Sequence, residues 1–295
     1  MKFYYNIQNP IVLSRLNLRK NCIPTPILND LKKRLKNIVF GGVYFGQEFC
    51  SDLAPQLSIL KKMFNFCNKN RINFVYLTGP TGQKDIQKIL KNLEFINKIG
   101  KKIEVVVNEW GILNIITTNY PNLVPVLGRL LIKNRRMAHF DQVPCTKSAT
   151  SANLAKNILL NQKIALSRTN IDILEYANFL KKLKVNRIGL DLVRTGIDLN
   201  HIKDFKIDIY IPNAYITGGR LCKLAGAFEP QRAMYIMPSS CKQYCRDNKM
   251  IFEPNFDYRI FYKYNSIFLN YNDKYLIKFI YRNRNKINRI IYEYV

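Results

Sequence analysis

Short apolar runs alternate along the chain with longer amphipathic stretches. The runs are rich in β-branched residues and apolar throughout, as expected of parallel strands that are buried on both faces. They cover residues 37–46, 72–79, 102–111, 123–129, 185–191 and 206–212. Between them apolar residues recur three or four positions apart, as Ile86, Ile89 and Leu93 do. This period predicts helices that cover the faces of a parallel sheet.

The alternation predicts an α/β fold, and we expect a TIM-barrel-like (β/α) barrel. An open doubly wound sheet is the alternative, but no GxGxxG motif follows the first strand. About six strand–helix units can be counted, whereas a complete barrel has eight. The barrel is therefore expected to be incomplete or distorted unless the C-terminal part of the chain completes it.

The pattern changes beyond Arg246. Aromatic and polar residues then alternate, with a turn at Asn272 and Asp273, which predicts antiparallel strands. We therefore expect two units. Residues 1–246 form a barrel-like domain that carries the candidate site, and residues 247–295 form an aromatic, basic and β-rich extension packed on it.

The chain is strongly basic, with 47 Lys and Arg against 20 Asp and Glu and a net charge of +27. Such a charge attracts nucleic acid or anionic lipid. The lysines are spread along the whole length, however, and neither an Arg-rich arm nor an RNP-type aromatic motif is present. We interpret the charge as mainly compositional, with a nucleic-acid partner as the alternative.

Several features predict a cytoplasmic protein without a membrane span. The first ten residues, MKFYYNIQNP, lack the apolar core of a secretory signal, and no apolar run approaches the ~18 residues of a membrane helix. The cysteine count of seven is odd. In a reducing compartment these thiols are available for metal.

Three cysteines lie close together late in the chain: Cys222, Cys241 and Cys245. The last two are four positions apart, so a helix would carry both thiols on one face. Closely spaced thiols without disulfide use indicate a metal or cluster site, and such a site needs a fourth ligand. Cys67 has the spacing of a core residue, and Cys22 and Cys145 are interpreted as incidental.

The fourth ligand is predicted from the position of active sites in parallel barrels, at the carboxyl ends of the strands. Residues directly after the predicted strands should share one rim: Cys50, Asn108, Glu109, Arg129, Asp191 and Cys222. Cys50 is therefore the expected fourth ligand. Its alternative role is that of a buried small apolar side chain.

The same rim supplies candidates for chemistry. Glu109 and Asp191 are predicted acid–base groups, with helix capping or ion pairing as the alternative. Asn108 and Arg129 are predicted to bind substrate, and Arg129 with Arg220 suits a carboxylate. Arg220 is also a candidate to hydrogen-bond the sulfur atoms of a cluster.

Peptidase chemistry is not expected. The sequence has no HExxH motif and no GxSxG motif. Its two histidines, His139 and His201, fall in polar stretches and are interpreted as surface residues.

Several motifs resemble those of the collagenase-like peptidase family of bacteria, and within it those of the UbiV-like subgroup. They are GVYFGQEFCSDLA, VVVNEWGIL, VPVLGRLL, AYITGGRLCKLAGAF and CKQYC, and the resemblance runs from about residue 37 to residue 246. It implies a 4Fe–4S cluster held by Cys50, Cys222, Cys241 and Cys245. It also implies oxygen-independent hydroxylation in ubiquinone biosynthesis, with a UbiU-like heterodimer partner, quinone-pathway intermediates as substrates and prephenate as oxygen donor.

Other readings stay open beside this one. Four cysteine ligands do not by themselves distinguish an iron–sulfur cluster from zinc. Relatives in the same family modify transfer or ribosomal RNA by hydroxylation, which suits a basic chain. A non-catalytic scaffold with a structural cluster is the third class.

Overall fold

The protein is described from a computed structural model, which covers residues 1–8, 26–35, 38–134, 152–193, 196–229, 241–252, 259–271 and 273–293. Cys22, His139 and Cys145 lie outside these residues. The strands are β1 (Lys2–Ile7), β2 (Val39–Gly46), β3 (Asn73–Thr78), β4 (Ile103–Val107), β5 (Leu123–Leu127), β6 (Arg187–Asp191), β7 (Lys206–Ile211), β8 (Asn213–Gly218), β9 (Met250–Phe252), β10 (Arg259–Lys263), β11 (Ser266–Asn270) and β12 (Ile287–Glu293).

Eight parallel strands close into a barrel in the order β1-β12-β7-β6-β5-β4-β3-β2. The predicted (β/α) barrel is therefore confirmed, and it is complete. The remaining four strands form an antiparallel sheet in the order β8-β11-β10-β9, inserted between the last two barrel strands.

The domain boundary predicted at Arg246 does not separate two units in this topology. Strand β12 belongs to residues 247–295 and closes the barrel between β1 and β7. The antiparallel sheet begins with β8, within the predicted barrel domain. The chain thus returns to the barrel after the insertion.

Helices cover the outside of the barrel. Their bounds are α1 (Pro26–Arg34), α2 (Leu57–Lys69), α3 (Ile86–Lys98), α4 (Trp110–Asn119), α5 (Ala152–Ser167), α6 (Leu174–Lys182) and α8 (Asp273–Arg282). Helix α7 (Lys223–Phe228) lies in the insertion between β8 and β9 and packs against the antiparallel sheet. The outward side chains of the strands and the apolar faces of the helices form one large core, which includes Leu60, Leu93, Ile116 and Ile290. Each fully buried Leu or Ile contributes about 1.5–3 kcal/mol. None of the described helices is long and apolar enough to cross a membrane.

The barrel interior is filled in layers, as in other parallel barrels. Its middle layer is apolar and aromatic and consists of Tyr4, Tyr44, Val75, Leu77, Val106, Val126, Tyr210 and Ile291. Gly189 makes room for it, because a Cβ there would lie 2.8 Å from the Tyr210 ring. The layers at both ends are charged.

The charged layer at the amino-terminal end joins five side chains. Arg187 contacts Glu104 at 3.0 Å and Asp208 at 2.6 Å, and Arg289 contacts Glu104 at 2.5 Å. Tyr44 donates to Asp208 at 2.7 Å. Burial raises the pKa of Asp208 to about 6, although Arg187 and Arg289 oppose the shift.

Candidate functional site

A buried ion cluster lies at the carboxyl-terminal end of the barrel interior. Arg129, which follows β5, contacts Glu48 after β2 and Asp191 at the end of β6, each at 2.9 Å. It also donates to Glu293 at the end of β12. All four charged side chains are fully buried. The guanidinium therefore joins the loops after β2 and β5 to the ends of strands β6 and β12.

The cluster carries more acid than base. Three carboxylates face one guanidinium, and neutral amides donate to two of them: Asn6 to Glu48 at 2.9 Å and Gln8 to Glu293 at 3.1 Å. Burial raises the pKa of Glu293 to about 7, and the charge of Glu48 adds to the shift while Arg129 opposes it. Near neutral pH the carboxyl of Glu293 therefore holds a proton part of the time.

Aromatic rings enclose the guanidinium on two sides. The Cζ atom of Arg129 lies 4.1 Å from the ring centre of Tyr210 and 4.8 Å from that of Phe49. Burial works against the charge of Arg129, but Glu293, Glu48 and Asp191 together raise its pKa well above the ordinary value. The guanidinium thus stays charged inside the barrel.

These contacts revise the roles predicted for Arg129 and Asp191. Arg129 is enclosed by three carboxylates and two rings, so a substrate carboxylate has no access to it. Asp191 accepts from Arg129 and from the backbone N–H of Tyr215 at 3.1 Å. It therefore serves as an ion-pair partner, the alternative considered for it, and holds the start of the antiparallel sheet to the barrel.

Asn108 is also a structural residue here. Its Nδ2 donates to the backbone oxygen of Thr78 at 3.0 Å, and its Oδ1 accepts from the backbone N–H of Leu130 at 3.1 Å. Gly128 permits this close approach, since a Cβ there would lie 2.1 Å from Asn108 Oδ1. Asn108 ties three strand ends together and does not line the cavity described below, so its predicted substrate contact is revised.

Glu109 caps helix α4. Its carboxylate accepts from the backbone N–H groups of Gly111 and Ile112, both at 2.9 Å. A carboxylate at this position satisfies helix donors and favours the helix dipole. This is the capping alternative considered for Glu109 rather than acid–base chemistry. His201 lies on the surface beside Asp198.

Four cysteines from three segments lie in one neighbourhood at the carboxyl-terminal mouth of the barrel. Cys50 follows β2, Cys222 precedes α7, and Cys241 and Cys245 follow in the next described segment. Cys50, Cys222 and Cys245 pack with one hydrophobic cluster, which contains Phe49, Leu53, Leu224, Phe261, Tyr262, Tyr264 and Phe268. Cys67 instead lies in the core under α2.

Direct contacts tie these segments together. Gln243, between Cys241 and Cys245, donates from Nε2 to the backbone oxygen of Asp52 at 2.8 Å. Its backbone N–H donates to the sulfur of Cys241 at 3.3 Å. The Asp52 contact holds the segment of the late cysteines against the loop that carries Cys50.

A second pair of contacts ties the late cysteines to α7, which follows Cys222. The ring of Tyr244 stacks on that of Phe228 at 4.8 Å between centres. Its hydroxyl donates to Glu229 at 2.7 Å. The prediction that a helix carries Cys241 and Cys245 on one face is wrong. Gln243 has a left-handed φ of 59°, and only a short 3-10 turn follows it.

The thiols affect one another electrostatically. Burial raises the pKa of Cys50 to about 12, and the charges of Asp52, Cys245 and Cys241 add to the shift. Burial likewise raises the pKa of Cys245 to about 12, with Cys222 and Cys241 adding to it. The thiols of Cys50 and Cys245 are therefore neutral at pH 7 unless a positive centre stabilises their thiolates.

The donor set fits a thiolate-ligated centre by its chemistry. Within the described ranges, no group of three or more His, Cys, Asp or Glu side chains is already arranged to hold a metal ion. Binding would therefore require the four cysteine side chains to close from the positions described.

A cavity of about 410 Å³ opens beside Cys50. Its walls come from the loops after β2 and β3, from Leu130, from Tyr215 in β8 and from the end of the β8–β11 pair at which Gly218 lies opposite Ser266. Arg220 lines it and is exposed. Of the predicted site residues, Cys50 and Arg220 line this cavity, whereas Asn108, Glu109, Arg129, Asp191 and Cys222 do not.

Two members of the buried cluster escaped sequence reasoning. Glu48 stands two positions before Cys50, and the strand-end rule used for Cys50 could have found it. Glu293 was missed because β12 was assigned to the extension. In β12 the inward residues are Arg289, Ile291 and Glu293, because the ends of this barrel interior are charged. The strand therefore mixes polar with apolar residues, which is typical of an antiparallel strand.

No protein-family model matches the chain, and no curated protein matches it. A solved structure that it matches weakly is chitinase ChiW from Paenibacillus sp. str. FPU-7, described as a multi-modular enzyme expressed at the cell surface. The two are 11% identical, and the match covers 90% of this chain and 32% of that chain with a TM-score of 0.27. A score this low supports no argument about fold or function.

Proposed function

We propose that this protein is an iron–sulfur protein of oxygen-independent hydroxylation, with a 4Fe–4S cluster held by Cys50, Cys222, Cys241 and Cys245. The observation that carries the proposal is the contact of Gln243 with Asp52. Gln243 lies 191 positions after Asp52, so the contact joins the segment of the two late cysteines to the loop that carries Cys50.

The surroundings of the thiols support a cluster. Aromatic and aliphatic side chains such as Phe49, Leu224 and Phe268 limit the access of water. The backbone N–H of Gln243 donates to a cysteine sulfur. Burial and N–H···S hydrogen bonds are two of the means by which proteins tune cluster potentials.

The four proposed ligands differ in their positions and in their burial. Cys50 lies in the loop after β2, and Cys245 is buried against the antiparallel sheet. Cys50, Cys222 and Cys241 are half-buried, so Cys245 is the most enclosed of the four. A bound cluster would supply one-electron redox chemistry, and the protein would exclude water and orient a substrate in the cavity beside Cys50.

The particular pathway follows from the motif resemblance. It makes ubiquinone intermediates the substrates, prephenate the oxygen donor and a UbiU-like protein the partner. The cavity beside Cys50 is a place for one reactant next to the cluster. Its position at the carboxyl-terminal mouth of the barrel suits catalysis in this fold.

Anaerobic purification tests the proposal. We expect a brown protein with absorption at roughly 400–420 nm and about four iron and four sulfide per chain, as for cysteine-ligated 4Fe–4S proteins. Reduction should give an electron paramagnetic resonance signal. A colourless protein that holds stoichiometric zinc would contradict it.

RNA modification is the second candidate, and one observation favours it. A recess of about 810 Å³ at the amino-terminal end of the barrel is lined by lysines without acidic partners among the described residues: Lys2, Lys101, Lys102 and Lys206. This recess lies at the end of the barrel opposite the cysteines. An RNA bound there would therefore have to extend along the barrel to reach the thiols.

A further inference from the structure

The cavity beside Cys50 is bounded by apolar and hydroxyl groups. Phe49 and Tyr215 stack with ring centres 5.5 Å apart and planes inclined by 25°, and Leu130 and Pro80 add apolar surface. The hydroxyl-bearing residues of the lining are Ser51, Thr81, Tyr215 and Ser266. A volume of about 410 Å³ lies in the range of small-molecule sites.

Four charged side chains line this cavity, and three of them have polar partners. Lys84 contacts Asp52 at 3.0 Å. Asp85 accepts from the hydroxyl of Ser51 at 2.7 Å. Both acids are therefore engaged with groups of the cavity wall, and the charge of Lys84 is balanced.

Arg220 is the exception. Among the described residues it makes no ion pair and no hydrogen bond, although it is exposed and belongs to the lining of the cavity. Gly218 and Gly219 precede it, and a Cβ at Gly219 would come no closer than 3.9 Å to another heavy atom, the backbone nitrogen of Leu221. Arg220 therefore borders the cavity, and its guanidinium donors are available to a ligand.

We propose that this cavity binds a small organic anion, with its carboxylate or phosphate on Arg220 and its apolar body against the wall of Phe49, Leu130 and Tyr215. The planar fork of a guanidinium matches either anionic group with two parallel hydrogen bonds. The proposal deepens the proposed function because it names the ligand class of the cavity next to the cluster. It replaces the predicted pair of Arg129 and Arg220 by Arg220 alone.

The experiment measures binding by calorimetry on the full-length protein, purified anaerobically. The probes are benzoate, phenyl phosphate and the neutral benzamide. We expect one of the two anions to bind, benzamide not to bind, and Arg220→Gln to weaken binding at least about tenfold, the loss of a charge-assisted pair. The anion that binds better identifies the charged group.

Arg71→Gln is the matched control. Arg71 is exposed and precedes β3 at the opposite end of the barrel, and its substitution removes the same charge. It should bind the anion as the wild type does. Equal affinity of Arg220→Gln and the wild type, equal weakening in both variants, or equal binding of benzamide would overturn the proposal.

The same titration on Cys241→Ala separates this inference from the cluster. Cys241 does not line the cavity. Loss of the cluster with retained anion binding leaves the cavity assignment intact. Absence of a cluster in the wild type contradicts the proposed function alone, whereas failure of anion binding in a cluster-loaded protein contradicts the inference alone.

Discussion

The guanidinium of Arg129 donates to the carboxylate of Glu293, 164 positions later in the chain. The contact joins the loop after β5 to the end of the strand that closes the barrel. Both side chains are fully buried, and Glu48 and Asp191 complete the arrangement. Phe49 connects this cluster to the candidate site, because its ring contacts Arg129 and the residue lines the cavity beside Cys50.

Replacing Arg129 by Met should strongly destabilise the protein. The change leaves three carboxyl groups buried without their common partner, and breaking a buried ion pair in this way costs about 3–5 kcal/mol. Urea unfolding of the wild type and of Arg129→Met measures the difference. Arg71→Gln removes an exposed arginine and should stay within about 0.5 kcal/mol of the wild type. An Arg129→Met variant as stable as this control would exclude a structural role for the cluster.

The stability of the protein should depend on the protonation of Glu293. Its pKa is raised from 4.5 to about 7 in the folded protein, so the folded state binds more protons than the unfolded state between these values. The contribution of Glu293 is therefore fully present below about pH 4.5 and is lost as the pH rises through about 7.

Glu293→Gln isolates this contribution, because its amide does not titrate. Between pH 5 and pH 7.5 the free energy of unfolding of the wild type should fall relative to that of Glu293→Gln. Asp204→Asn, at an exposed ion pair with Lys181, serves as the control and should show no such shift. A pH-independent difference for Glu293→Gln would show that Glu293 does not titrate in this range.

Glu109 should behave as a helix cap. Glu109→Ala is expected to lower the free energy of unfolding by about 1 kcal/mol, the usual effect of losing a capping side chain. Glu109→Ser should restore most of it, since a serine hydroxyl can accept from the same backbone donors. Loss of the proposed hydroxylation activity in a fully stable Glu109→Ser variant would instead indicate acid–base chemistry.

The affinity for RNA should depend on the total positive charge of the protein and not on the position of particular lysines. Substituting Gln for Lys101, Lys102 and Lys206 in the amino-terminal recess removes three charges. The same substitution at the exposed helix residues Lys62, Lys91 and Lys278 removes the same number elsewhere. We expect both triple variants to lose RNA affinity equally in a salt titration. A loss confined to the recess variant would favour the RNA-modification candidate.

The barrel was predictable because its strands and helices carry different hydrophobic periods. Helix α3, for example, places Ile89, Leu93 and Ile96 on one buried face, as its spacing predicts. Strand β12 was not predictable in the same way. Its inward residues include Arg289 and Glu293, which are stabilised only by partners from distant strands, and no local pattern reveals those partners.

The candidate site was predictable in part. The strand-end rule brought Cys50 to the mouth of the barrel, where contacts of Gln243 and Tyr244 hold the late cysteines. The same rule could not distinguish an accessible side chain from an enclosed one. Arg129 and Arg220 both follow strands, but only the three-dimensional structure shows that the first is enclosed by carboxylates and the second faces a cavity.

The most direct test of the account compares two cysteine variants purified without oxygen. Cys50→Ala removes the ligand that comes from the first part of the chain, and Cys67→Ala removes a buried thiol of the core. Iron content and absorption at roughly 400–420 nm are measured for both and for the wild type. We expect the wild type and Cys67→Ala to carry about four iron per chain and Cys50→Ala to lose the intact cluster. An unchanged cluster in Cys50→Ala, or a wild type that holds zinc and no iron, would contradict the central claim.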